Sequence, residues 1–238
     1  MHRLPPPSSL TEAEVAEAER ELGVSFPAEY RAYLVGVSAG GDVARLERGE
    51  RGWWWADNRQ TRADLLPLPF PHPDSYDAAE DELDARMPRR EDFEDESVAV
   101  AAWRAWDAEA DEFEDRKTAG AVVLQEHGCG FATLLALSGP LAGTVWWDGR
   151  ATCGRIVPLS LVHAAGARPV TFAEWQEYGF WDLLPPDWGR SEPAQPVVFA
   201  PAREEPRAPF LRRLAAAVVA AWRDPVRPLR RSSGPGLG

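Results

Sequence analysis

The sequence predicts an α+β domain, with an antiparallel-rich (mixed) β-sheet and helices packed around it. Three observations predict it. Two amphipathic helical stretches separated by a glycine lie within residues 11–37. Short apolar stretches punctuated by glycines run from residue 121 to about 160. A further capped helical stretch begins at Thr171. At 238 residues and 45% hydrophobic, with eleven tryptophans and nine phenylalanines, the chain has the material for a substantial core.

In "LTEAEVAEAERELG", Thr11 and Glu14 have the spacing of a capping box. Val15, Ala18 and Leu22 recur at i, i+3 and i+7, and Gly23 supplies a left-handed stop. "SFPAEYRAYLVGV" restarts at once, with Pro27 suited to a first helical turn and a buried stripe expected of Phe26, Tyr30, Tyr33, Leu34 and Val37. Gly40-Gly41 then breaks the chain. "GWWWAD" (52–57) reads as an aromatic strand. "LPLPFPHPDS" is too proline-rich for regular structure. In "SVAVAAWRAWDAEADEFEDR" Val98, Val100 and Ala102 alternate like a strand, while Trp103, Trp106 and Ala110 repeat like a helix; a helix over about 97–115 is favoured. "AVVLQEH", "FATLLALSG", "GTVWWD" and "GRIVPLS" are four short strands joined by turns, the pattern of an antiparallel meander. "TFAEWQEYGFWDLL" repeats the capping logic at Thr171 and Glu174, with Phe172, Trp175 and Leu183 facing inwards. The chain thus divides into a domain over 1–184, carrying an acidic insertion at about 58–118, and a segment over 185–238. The latter reads as a Pro-rich linker, an amphipathic helix with Leu211, Leu214, Val218 and Trp222 on one side and Arg212, Arg213 and Arg223 off it, and a loose tail.

Charge is concentrated. The formal net charge is −12, and residues 74–117 hold 17 Asp/Glu against 6 Arg/Lys. Such a block repels nucleic acid and attracts basic surfaces. Lys117 is the only lysine among 26 basic residues. No apolar run approaches the length of a membrane span, and "MHRLPPPSSL" lacks the apolar heart of a signal peptide, so a cytoplasmic protein is expected. The two cysteines, Cys129 and Cys153, form no disulfide framework.

The stretch "QEHGCG" gathers Glu126, His127 and Cys129. A zinc site would need further paired ligands, and His2, His72 and His163 stand singly. A reactive thiol needs an electropositive setting, whereas this region is acidic. No nucleophile elbow, phosphate loop or dinucleotide fingerprint occurs. The stretch therefore reads as a hairpin, Gly128 and Gly130 providing the turn and Cys129 a small buried hydrophobe. No metal, cofactor or catalytic residue is expected, and the chain is not expected to be an enzyme.

Taken in order, these pieces resemble the SUKH superfamily (the Smi/Knr family). Thr11, Glu14, Leu22, Gly23, Phe26, Pro27, Tyr30, Arg31 and Leu34 fit its opening motif. Gly128, Gly130, Leu135, Leu137, Gly139, Gly143, Val145 and Trp147 resemble its hairpin elements, and "TFAEW" its closing helix. The likeness spans about residues 8–184; the long acidic insertion, the segment after 184 and Phe131 after the turn depart from it. The resemblance implies a binding module, in bacteria commonly an immunity protein that neutralises a nuclease- or deaminase-type toxin, and alternatively a scaffold in a regulatory complex. A basic toxin domain would be drawn to the acidic insertion. The expected contacts are Asp81, Glu82, Asp84, Glu91, Asp92, Glu94, Asp95 and Glu96, with Trp53, Trp54 and Trp55 as aromatic anchors unless strand alternation buries them.

Overall fold

The N-terminal helices form where local side chains can cap them. In the computed structural model, which describes residues 8–56, 61–153, 155–163, 167–178 and 180–184, α1 spans Glu12–Leu22. The Thr11 hydroxyl accepts from the Glu14 N–H at 3.2 Å, and Glu14 Oε2 accepts from the Thr11 N–H at 2.7 Å. Donation from the Thr11 N–H and from the Thr11 hydroxyl holds the Glu14 carboxyl below its ordinary pKa. Gly23 ends the helix at φ +68°, and Val15, Ala18 and Leu22 are buried as the periodicity requires. The turn into α2 (Ala28–Gly36) is clamped by Glu19, which accepts from the Phe26 N–H at 2.8 Å and from Arg31 at 2.6 Å. Phe26, Tyr30, Tyr33 and Leu34 are buried, but Val37 is 67% exposed. Helix α2 has already ended at Gly36, so Val37 leaves the helical period and turns outwards.

A two-stranded antiparallel sheet follows, β1 (Arg45–Gly49) against β2 (Gly52–Ala56), with Leu46 opposite Trp55 and Arg48 opposite Trp53. Strand β1 has one buried residue, Leu46, and so carries no alternation that its sequence could reveal. Beyond the proline-rich loop lie α3 (Asp77–Ala85) and α4 (Glu96–Arg116). The favoured helix over 97–115 is therefore present, while α3 is an element that the sequence of the acidic insertion does not predict.

The main sheet is an antiparallel meander in the order β3-β4-β5-β6: β3 (Ala121–Gly128), β4 (Phe131–Ala136), β5 (Val145–Asp148) and β6 (Ile156–Pro158). A short α5 (Arg150–Cys153) joins the last two strands. The closing helical stretch comprises α6 (Phe172–Tyr178) and α7 (Phe180–Leu183). The result is an α+β fold with helices around antiparallel sheets. The linker, amphipathic helix and tail expected over 185–238 lie outside the described residues, as do His2 and Asp57.

Alternation along the strands builds two cores. One face presents Val122, Leu124, Leu135, Val145 and Trp147 to α1, α2, α6 and the β1–β2 hairpin. There Phe172 sets its edge on Tyr30 and Tyr33 at 5.2 and 5.4 Å, and the Tyr30 hydroxyl accepts from Trp55 Nε1 at 2.9 Å. Burial drives the Tyr30 hydroxyl pKa far above its ordinary value, so it remains a neutral hydrogen-bonding group. The other face carries smaller residues, Ala121, Ala132 and Ala136, with Val123, Leu134 and Trp146. They let the proline-rich loop lie close, placing Phe70 5.4 Å from Trp146.

That close approach needs glycine. Gly120 has φ +67°, and a Cβ there would meet Leu68 O at 2.2 Å and Phe70 N at 2.6 Å. Gly128 has φ +81° but open space around it. Gly120→Ala is therefore expected to lower stability by about 3 kcal/mol, from strain plus a backbone collision, and Gly128→Ala by about 1 kcal/mol, from strain alone. Urea unfolding midpoints at unchanged slope check the difference; equal losses would mean that the loop does not press on Gly120.

Candidate functional site

The acidic insertion is built on α4, whose 21 residues give a rod about 30 Å long. Asp95 caps it by accepting from the Ser97 N–H at 2.6 Å, and this bonding to Ser97 holds its carboxyl below the ordinary range. Ala99, Ala102, Trp106, Ala110 and Phe113 recur at helical spacing and form the less exposed side. Val98 and Val100, which alternate like strand residues, are both exposed. Trp106 Nε1 donates to Leu83 O at 2.9 Å, tying α4 to the one buried residue of α3.

The carboxylates of the insertion fall into two sets. The inner set is paired. Lys117, only 2% exposed, donates to Glu114 at 2.6 Å and lies 3.0 Å from Glu80. Its ammonium also sits 5.2 Å from the Tyr76 ring centre and 5.0 Å from that of Phe113, within cation–π range. Arg150 grips Asp148 with two bonds, at 2.9 and 2.7 Å, and reaches Glu114 O at 2.6 Å and its carboxylate at 3.1 Å. Burial opposes the Arg150 charge, but the Asp148 and Glu114 carboxylates outweigh it and raise its pKa further. Arg155 pairs with Asp77 at 2.9 Å, Arg86 with Glu109 through two bonds, and Arg62 with Asp115. These contacts fasten α3 and α4 to the end of β5, to α5 and to the start of β6.

The outer set is different. Asp81, Glu82 and Asp84 on α3, Glu91 and Asp92 in the following 3₁₀ turn, and Glu94 and Glu96 at the start of α4 are all exposed. None makes an ion pair with another described residue. Asp95, expected among the contacts, is also exposed, but its carboxylate is engaged as the α4 cap.

Of the three tryptophans offered as anchors, strand alternation buries two. Trp53 and Trp55 are buried in the core, Trp55 bonded to Tyr30, because alternate residues of β2 face the helices. Trp54 points outwards at 49% exposure, on the β1–β2 hairpin and not on the acidic helices. The aromatic residue that accompanies the acidic helices is Trp103, 46% exposed and edge-on to Trp106 at 5.5 Å. Sequence reasoning placed Trp103 with Trp106 on one helical stripe; the signal missed was that Glu96, Val100, Trp103, Asp107 and Asp111 form a second one.

The "QEHGCG" stretch is a hairpin, but not with the interior expected for it. Gly128 pairs with Phe131 across a two-residue turn in which Cys129 and Gly130 have φ +53° and +83°, the signs of a type I′ turn. Cys129 is consequently exposed at the tip and not a buried hydrophobe. His127 contacts the Thr133 hydroxyl at 2.8 Å and the Trp147 ring at 5.1 Å, and desolvation lowers its pKa. Glu126 is exposed. A groove between the proline-rich loop and α4 is lined by charges that neutralise one another, Arg62 with Asp64 and Asp115, and Arg116 with Glu112. Among the described residues no group of three or more His, Cys, Asp or Glu side chains is arranged to hold a metal ion.

The inner network predicts how the site is held. Lys117→Ala should cost about 3 kcal/mol, since it strips the buried partner from two carboxylates and opens a gap against Tyr76 and Phe113. Lys117→Met keeps the apolar stem and should lose less. Urea denaturation at neutral pH checks the order; equal losses would show that the ammonium adds nothing.

No protein-family model, curated protein or solved structure matches this chain.

Proposed function

We propose that this chain is a protein-binding module of the SUKH kind, an immunity protein that neutralises a basic nuclease- or deaminase-type toxin domain by occluding it, without catalysis of its own. One observation supports the reading above the others: the outer carboxylates of α3, of the 3₁₀ turn and of the start of α4 make no ion pair among the described residues and are displayed on elements that the inner network fastens to the core. Unpaired surface charges of one sign project a field that steers a basic partner and speeds its association. The same field repels phosphate backbones, so the partner is read as protein and not nucleic acid. Fixed helices present the charges without the ordering cost that a loose acidic loop would incur on binding. Among the described residues no helix is long and apolar enough to cross a membrane, which fits a module that meets its partner in solution.

The test uses a variant carrying Asp81→Arg, Asp84→Arg, Glu91→Arg and Glu94→Arg, whose side chains make no bond or ion pair with the inner network among the described residues. Wild type and variant serve as bait in lysate of the source organism, and association with the recovered domain is then timed at low and high salt. One nuclease- or deaminase-type domain, inhibited by the wild type, should bind the variant at least about tenfold more slowly at low salt, with a flatter salt dependence. Capture at an unchanged rate would remove the outer carboxylates from the mechanism. Recovery of a regulatory complex in place of a toxin would make the chain a scaffold.

A further inference from the structure

The second stripe of α4 has a composition that the inner network does not use. Glu96, Val100, Trp103, Asp107 and Asp111 follow at i, i+4, i+7, i+11 and i+15, so they line one flank of the helix. All are exposed, and Glu96, Asp107 and Asp111 make no ion pair with a described residue. An aromatic centre bounded by carboxylates matches an apolar stripe flanked by cations. Neither half of that description suits water alone: the indole ring exposes apolar area, and the acids repel one another.

The chain itself contains such a stripe. Residues 207–231, "RAPFLRRLAAAVVAAWRDPVRPLRR", hold seven arginines and one aspartate. Their apolar residues Leu211, Leu214, Val218 and Trp222 recur at i, i+3, i+7 and i+11, close to the spacing of the α4 flank. The intervening residues 185–206 can span about 70 Å when extended, more than twice the length of α4, so the tether permits the contact. Tethering also raises the local concentration of the segment to the millimolar range, at which even a weak contact is occupied.

We propose that residues 207–231 occupy the Glu96–Asp111 flank of α4 within the same molecule. The arginines neutralise the rim while Leu214, Val218 and Trp222 shield Trp103 and Val100. A partner drawn to the neighbouring carboxylates must then compete with the chain's own basic segment, which discriminates against weakly basic surfaces; that consequence rests on the binding role proposed above, whereas the contact does not.

Hydrogen exchange on the full chain tests the contact. Amides of 210–224 should exchange at least about tenfold more slowly in the wild type than in Trp103→Asp/Asp107→Arg, and more slowly in 50 mM than in about 1 M salt. A second variant, Arg212→Glu/Leu214→Asp/Arg223→Glu, changes only the segment and should give the same loss with an unchanged unfolding midpoint for the domain. Equal exchange in wild type and both variants overturns the proposal, as does protection that survives the Trp103/Asp107 changes, which would seat the segment elsewhere. Protection that falls on dilution would make the occupant a second copy and also overturns it. Partner capture is timed separately with the segment variant, so failure of the binding role leaves the exchange result standing.

Discussion

A buried ammonium stands where two acidic helices meet the rest of the molecule, and their placement depends on it. Helix α3 buries one side chain, Leu83, and α4 buries Ala99, with Trp106 and Phe113 half-buried beside them. None of these side chains joins either core cluster, so what the helices bury lies outside the core proper. Lys117 draws Glu80 and Glu114 together and rests its charge against Tyr76 and Phe113. Arg150 then links Glu114 to Asp148 at the end of β5. Removing water from these charges is costly, and the shared geometry repays it: each cation has two carboxylates or a carboxylate pair with well-formed bonds. Arginine dominates this chain, but a compact ammonium is the group that fits between two carboxylates and two ring faces.

The network explains why the insertion can be strongly acidic without pulling apart. Carboxylates on the inner side are consumed by Lys117, Arg150, Arg155, Arg86 and Arg62, and repulsion among the remainder is relieved by solvent. The same division creates the displayed charge on which the proposed binding role relies. The core proper is separate. Its two faces are completed by α1, α2, α6 and the aromatic hairpin on one side and by the proline-rich loop on the other, which passes over Gly120 and Gly139 because neither has a side chain in its path.

The parts of the fold legible in the sequence are those whose stabilising partners are neighbours along the chain. The Thr11–Glu14 cap, the Gly23 stop and the Gly128–Gly130 turn are local, and each appears where read. Strand β1 was not legible because Leu46 is its one buried residue and leaves no alternation to read, and helix α3 because its partners are distant, Leu83 O on Trp106 and Glu80 on Lys117. The acidic block was visible as a run of charge. Its division into paired and unpaired carboxylates was not, since Asp77, Glu114 and Asp115 find arginines 36 to 78 positions away. Alternation along β2 says that some of Trp53, Trp54 and Trp55 are buried but not which face meets the helices; Tyr30 and the α1–α2 pair decide it.

Charge pairing, more than apolar burial, fixes the acidic helices to the sheet. Native-state hydrogen exchange of Lys117→Ala tests it most directly. Amides of α3 and α4 should open together at a free energy well below that of β3, β4 and β5, whose exchange should still follow global unfolding. If α3 and α4 continue to exchange only with the sheet, Lys117 is not what holds them, and the helices owe their placement to packing.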